Sequence, residues 1–161
     1  PLPLRLAVRP VESARPYRQQ LVYRDNGAQL VPYPHAEWAE LPAESITRAL
    51  IDALRESGRF ADVGLVFDMG IPDAMLIARI RRFEEDRTVQ PSLAVCEIGF
   101  ELRDNSDRRA IWTAIVSDQQ PLTVENDPAA LVAAMNIAAG NVIAQATQAI
   151  TLLEWRNPAE P

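Results

Sequence analysis

The sequence predicts an α+β fold: a two-layer sandwich in which two amphipathic helices cover one face of a largely antiparallel or mixed sheet, with a protruding β-hairpin. Three observations predict it. Asn26-Gly27 separates two strand-like runs, Gln20 to Asp25 and Ala28 to Tyr33, and supplies the positive φ angles of a tight two-residue turn. Two stretches, beginning near Pro42 and Pro128, repeat apolar residues at helical spacing. Between them, three consecutive segments alternate apolar and polar residues, the pattern of an antiparallel meander with one wet face.

Leu4 to Val8 alternates apolar and charged residues and reads as the first strand. After the hairpin, prolines at 32, 34 and 42 interrupt ladder pairing, so Pro34 to Leu41 is expected to be a connecting loop. The first helix spans Pro42 to Ser57. Proline suits its first turn, Glu44 its positive end, and Gly58 the left-handed position just past its end. Ile46, Leu50, Ala53 and Leu54 form its apolar stripe. A short strand near Val63 to Phe67 follows, then Ala74 to Phe83, Ser92 to Arg103 and Ala110 to Ser117. Asp127-Pro128 caps the long second helix, with Leu131, Met135, Val142, Ile143 and Ile150 on one arc. No charged residue occurs from Pro128 to Leu153, yet the dispersed amides and alanines argue against a membrane span. With no repeat and no linker, residues 1–161 are expected to form a single domain.

The formal net charge is −6, which disfavours a nucleic-acid backbone as partner. All 16 basic residues are arginine, so the lysine that a P-loop needs at its phosphates is missing. A metal or cofactor site is not expected: one cysteine and one histidine cannot make a zinc set. His35 sits between prolines with no nucleophile motif nearby, and Cys96 faces inward in a strand, where cysteine acts as a small hydrophobe. The carboxylates of "FEEDR" (Phe83 to Arg87) and "RDNSDRR" lack calcium-loop spacing and read as solvated turns. These readings predict no catalytic residues and no enzyme activity.

Two surfaces carry the residue types of an interface instead. Tyr23, Arg24, Tyr33 and Trp38 are anchor types. The same aromatics would equally serve to bury a hairpin against its own domain. The polar arc of the second helix, including Asn136 and Gln148, carries amides where a solvated face normally carries charge. Such an arc suits a face covered by another subunit, and also a plain surface helix of drifted composition.

The stretch "LVYRDNGAQLVPYPHAEWAELP", preceded by "LRLAVRPV" and followed by "ITRALIDALRESGRF", resembles the ABC-type transport auxiliary lipoprotein family. The matching steps are Val22-Tyr23-Arg24, Tyr33, Trp38-Ala39-Glu40 and Pro42, with "IARIRRFEED" and "NDPAALVAAMNIA" downstream. Glu37 departs from the pattern, where a basic residue is expected. The resemblance implies a non-catalytic lipoprotein of the periplasm, anchored at the outer membrane by lipid, that accompanies an ABC transporter with an MCE-domain substrate-binding protein. Its expected work is docking partner subunits or copies of itself, so a homo-oligomer is one expected form. Lipid or another hydrophobic molecule is the implied cargo. A signal peptide and lipidated cysteine are expected to precede Pro1. The alternative is a periplasmic lipid carrier, which would need an apolar cavity of several hundred Å³ between helices and sheet.

Overall fold

A 13-residue strand, β6 (Ala74–Asp86), organises the sheet. The computed structural model describes residues 2–26 and 28–155. Among them the remaining elements are β1 (Leu2–Val8), β2 (Glu12–Ser13), a 3-10 turn (Arg15–Tyr17), β3 (Gln20–Arg24), β4 (Leu30–Glu37), α1 (Pro42–Glu56), β5 (Phe60–Leu65), β7 (Leu93–Asp104), β8 (Ala110–Pro121) and α2 (Pro128–Thr151). Along one edge of β6, antiparallel β7 pairs from end to end, and β8 pairs antiparallel beyond it. Along the other edge, β1, β2 and β3 follow one another in parallel, at Ala74–Leu76, Arg79–Ile80 and Glu85–Asp86 respectively. β5 adds parallel to β1, and β4 adds antiparallel to β3.

The sheet is therefore mixed, one of the two forms expected: its longest ladders are antiparallel, and β1, β2, β3 and β5 add parallel pairs. A parallel strand arriving after a long crossover has no local turn signature, so the alternation pattern alone could not reveal it. Nor does the β3–β4 pair protrude, since β3 is tied into the sheet through β6. Of the expected Asn26-Gly27 turn, Gly27 lies outside the described residues. The region from Pro34 is not a loop: β4 continues to Glu37. Pro32 and Pro34 are tolerated because β4 is an edge strand whose outer side needs no ladder partner. The pairing slips between Gln20↔Glu37 and Val22↔Pro32, and His35 takes φ 60° within that irregular stretch.

Both helices pack on the sheet and against each other, α1 on β1 and β5, α2 on β7 and β8. Helix α1 begins at Pro42, and Gly58 adopts φ 61° just past its end, as the sequence predicts. Asp127 caps α2, its carboxylate accepting from the Ala129 amide at 3.1 Å. Leu131, Met135, Ala138, Val142, Ala146 and Ile150 of α2 meet Leu50 and Leu54 of α1 and Leu76, Ile98 and Leu102 of the sheet in one cluster. Helix α2 has the length and hydropathy of a membrane span, but its apolar arc is taken up by this packing.

Candidate functional site

The C-terminal end of β6 holds the most concentrated chemistry in the fold. Glu84 and Glu85 are both fully buried, at 0 % exposure. Adjacent strand residues face opposite sides, so the two carboxylates enter different sides of the sheet and each needs its own partners. Glu84 accepts from the Tyr17 hydroxyl at 2.5 Å and from Arg24 Nε at 2.7 Å and Nη2 at 3.1 Å. Arg82 adds two donors to Oε1, at 3.0 and 2.8 Å, and also reaches Asp86 at 2.9 Å. Glu85 accepts from Ser92 at 2.7 Å, from Arg87 Nε at 2.8 Å, and from the Tyr33 hydroxyl. The Arg87 guanidinium lies 3.5 Å from the Tyr23 ring centre, a cation–π contact, and the two tyrosine rings meet edge to face at 5.4 Å.

This arrangement corrects the reading of "FEEDR" as a solvated turn. Strand β6 runs three residues past Phe83 because arginines and tyrosines from four other segments satisfy the carboxylates. A buried carboxylate is tolerated only when paired and hydrogen-bonded. Burial pushes the Glu84 carboxyl up, but the bonds from Arg24, Tyr17 and Arg82 outweigh it and hold the group below its ordinary range. The Tyr17 phenol is pushed up to about 12, first by burial and then by its bond to Glu84. Tyr33 is also raised, by burial and by Glu85. Each oxygen of Glu84 and Glu85 already accepts from arginine, tyrosine or serine, so the cluster is a clamp joining β3, β4 and the 3-10 turn to β6.

The residues proposed from sequence fall into two groups. Tyr23, Arg24 and Tyr33 gather at the clamp, Tyr33 buried and the other two partly exposed. Trp38 lies beside them, its ring 5.1 Å from Phe83. Asn136 and Gln148 are exposed on α2, away from the clamp and 12 residues apart, which sets them about 120° apart around the helix. Sequence reasoning missed Tyr17, Arg82, Glu84, Glu85 and Arg87. One signal was present: in "RRFEEDR" a strand period places Arg82, Glu84 and Asp86 on one side and Glu85 with Arg87 on the other, each acid beside a base.

His35 is exposed on edge strand β4. Cys96 is fully buried, and burial, helped by Asp118 and Glu97, pushes its thiol up to about 12. A disulfide-exchange reagent should therefore label the native protein no faster than the fold opens, and at once in denaturant. Rapid native labelling would contradict this burial. Concavities among the described residues include two larger ones. One, of about 780 Å³, is lined by strand ends, turns and Trp155; the other, of about 530 Å³, lies over β6, β7 and β8. Neither includes a residue of α1 or α2 in its lining.

Among solved structures, protein XCC0632 of Xanthomonas campestris superposes with a TM-score of 0.84 at 25% identity, over 93% of this chain and 86% of that one. The PelC dodecamer of Paraburkholderia phytofirmans shares the fold at a TM-score of 0.53 and 16% identity, over 88% and 85%. A minor lipoprotein of Acinetobacter baumannii does so at 0.53 and 10%, over 91% of each chain. Curated protein sequences give no match. The family model for the ABC-type transport auxiliary lipoprotein component matches residues 3–147, nearly the whole described fold, and the chain belongs to that family.

Proposed function

We propose that this chain is a non-catalytic docking component of an ABC transport system with MCE-domain subunits. In this reading it is held at the periplasmic side of the outer membrane by an N-terminal lipid, and it helps pass lipid or another hydrophobic molecule between the two membranes. The observation that carries the docking role is the exposed arc of α2. In a chain that is 24% charged, this 24-residue helix has no charged residue, and its exposed positions are Asn, Gln, Ala, Gly and Ile. A face of that composition loses little on being covered, because no charge must be stripped of water. On the clamp side, a partner would meet the half-exposed Tyr23, Arg24 and Trp38, with Tyr33 and Glu85 holding that edge from behind.

The carrier alternative is less well supported, because large side chains fill the space between helices and sheet. PelC assembles as a dodecamer. That precedent supports self-association of this chain as well.

The test is full-length protein with its native N-terminus, expressed with its transporter subunits. Mass spectrometry of the N-terminus should find a lipidated cysteine, and affinity capture should recover an MCE subunit. Asn136→Arg with Gln148→Arg should weaken that capture about tenfold, since each would bury an unpaired charge. A protein that stays unlipidated and captures no MCE subunit would sink the proposal.

A further inference from the structure

The mixed sheet ends in three lateral edges, and they differ. On β4 the edge is interrupted by Pro32, Pro34 and the left-handed His35. On β5 the Arg55 guanidinium already binds the Val63 carbonyl at 2.7 Å. Prolines and edge-directed charges are the usual means of blocking strand addition. Edge strand β8 carries neither between Ala110 and Ser117, and among the described residues it pairs only with β7.

Which backbone groups of β8 are unpaired follows from its pairing. The Leu122 amide donates to Ser92 at 2.9 Å, and Pro121, opposite Leu93, has no amide to give. Antiparallel pairs alternate between bonded and non-bonded. Gln120, Asp118, Val116 and Ala114 therefore turn their amides and carbonyls toward β7. Thr113, Ile115, Ser117 and Gln119 turn theirs outward, and all four residues are exposed, Ile115 at 59 %.

We infer that this edge pairs with the same edge of a second copy of the chain, antiparallel, about a two-fold axis at Val116. This inference does not rest on the transport reading. In that register Thr113 faces Gln119 of the other copy and Ile115 faces Ser117, so each outward group from Thr113 to Gln119 finds a complement. Symmetric pairing sets like surface against like, which a chain of net charge −6 tolerates where the strip carries little charge: Ala110 to Ser117 has none, and the Asp118 carboxylate beside it accepts from Asn141 of α2 at 3.0 Å. Arg108 and Arg109 precede β8, while Glu125 and Asp127 follow it, so the antiparallel arrangement brings the basic end of each copy near the acidic end of the other. The blocked edges on β4 and β5 make β8-to-β8 contact the sheet-extending one, closing a pair.

Light scattering over a concentration series should show reversible dimers. Ser117→Pro removes an outward amide that β7 does not use, and should weaken association about tenfold or more. Should that variant unfold, Ile115→Lys and Ser117→Lys alter exposed side chains only, and should weaken association while leaving the thermal midpoint unchanged at concentrations where wild type is monomeric. Val116→Cys should cross-link two copies under mild oxidation, because a non-bonded pair at the axis sets the Cα atoms about 4.5 Å apart, within disulfide range. Thr113→Cys, facing Gln119, should not. A wild-type chain that stays monomeric, including one that accepts only a strand from a different protein, overturns the inference. So does an oligomer that the β8 variants leave intact.

Discussion

Glu84→Ala should lower the stability of the fold by about 3 kcal/mol, at the lower end of the range for breaking a buried ion pair. The lower end applies because Arg24 and Arg82, its partners, keep 27% and 28% of their side-chain surface exposed and water can partly replace the carboxylate. The loss comes from what remains: two guanidiniums without their carboxylate and a Tyr17 hydroxyl without its acceptor. Urea unfolding measures it. A second variant separates this cause from simple loss of packing. Glu84→Met with Arg24→Met should be less destabilised than Glu84→Ala alone, because the charge goes with its partner. Additive losses in that cycle would show that the clamp is not a coupled unit.

The same network fixes a direction for pH. The Glu84 carboxyl is held below its ordinary value of 4.5 in the fold, so its contribution is complete above that value and is lost as pH falls through the folded value. Tyr17 runs the opposite way. Its phenol is raised from 10.0 to about 12, so its contribution is complete below 10.0 and is lost between there and about 12. Stability should therefore fall on both flanks, and Glu84→Gln should make the acid flank shallower. Asp86, Glu101 and Asp104, also depressed, keep some acid sensitivity in the variant. Equal acid slopes in wild type and Glu84→Gln would contradict the assignment.

What could be read in advance follows the range of the interactions. Both helices were legible because their signals are local: Pro42 and Gly58 bound one, Asp127-Pro128 starts the other, and their stripes repeat every three or four residues. The meander was legible for the same reason, since β6, β7 and β8 are consecutive. The parallel pairings of β1, β2 and β3 with β6 join residues about 60 to 70 positions apart and leave no local trace. The clamp was hidden in the same way. Glu84 looks solvated in "FEEDR" until Tyr17 and Arg24 arrive from 67 and 60 residues away. Tyr33 shows the converse: its aromatic character is plain in the sequence, but only the fold reveals that its hydroxyl is bound to Glu85.

Two neighbouring residues on α2 should give opposite results, and the contrast tests the helix as both a packing element and a surface. Met135→Ala should cost about 2–5 kcal/mol, the range for deleting a large core side chain. Met135 is fully buried, within the cluster that joins α2 to α1 and the sheet, so truncation leaves a void that its neighbours can fill only in part. Asn136→Ala should change stability by less than about 0.5 kcal/mol, as exposed positions generally do. Alanine is also the better helix former, which offsets whatever solvent contact the amide loses. Urea midpoints with unchanged slopes would measure both. Helix α2 differs from an ordinary surface helix in having no charge on its outer face: Leu, Met, Val, Ile and four alanines lie inside, with Asn, Gln, Gly, other alanines and Ile137 outside. If Met135→Ala were tolerated and Asn136→Ala destabilising, that orientation of α2 would be wrong. The docking face assigned to Asn136 and Gln148 would then be lost with it.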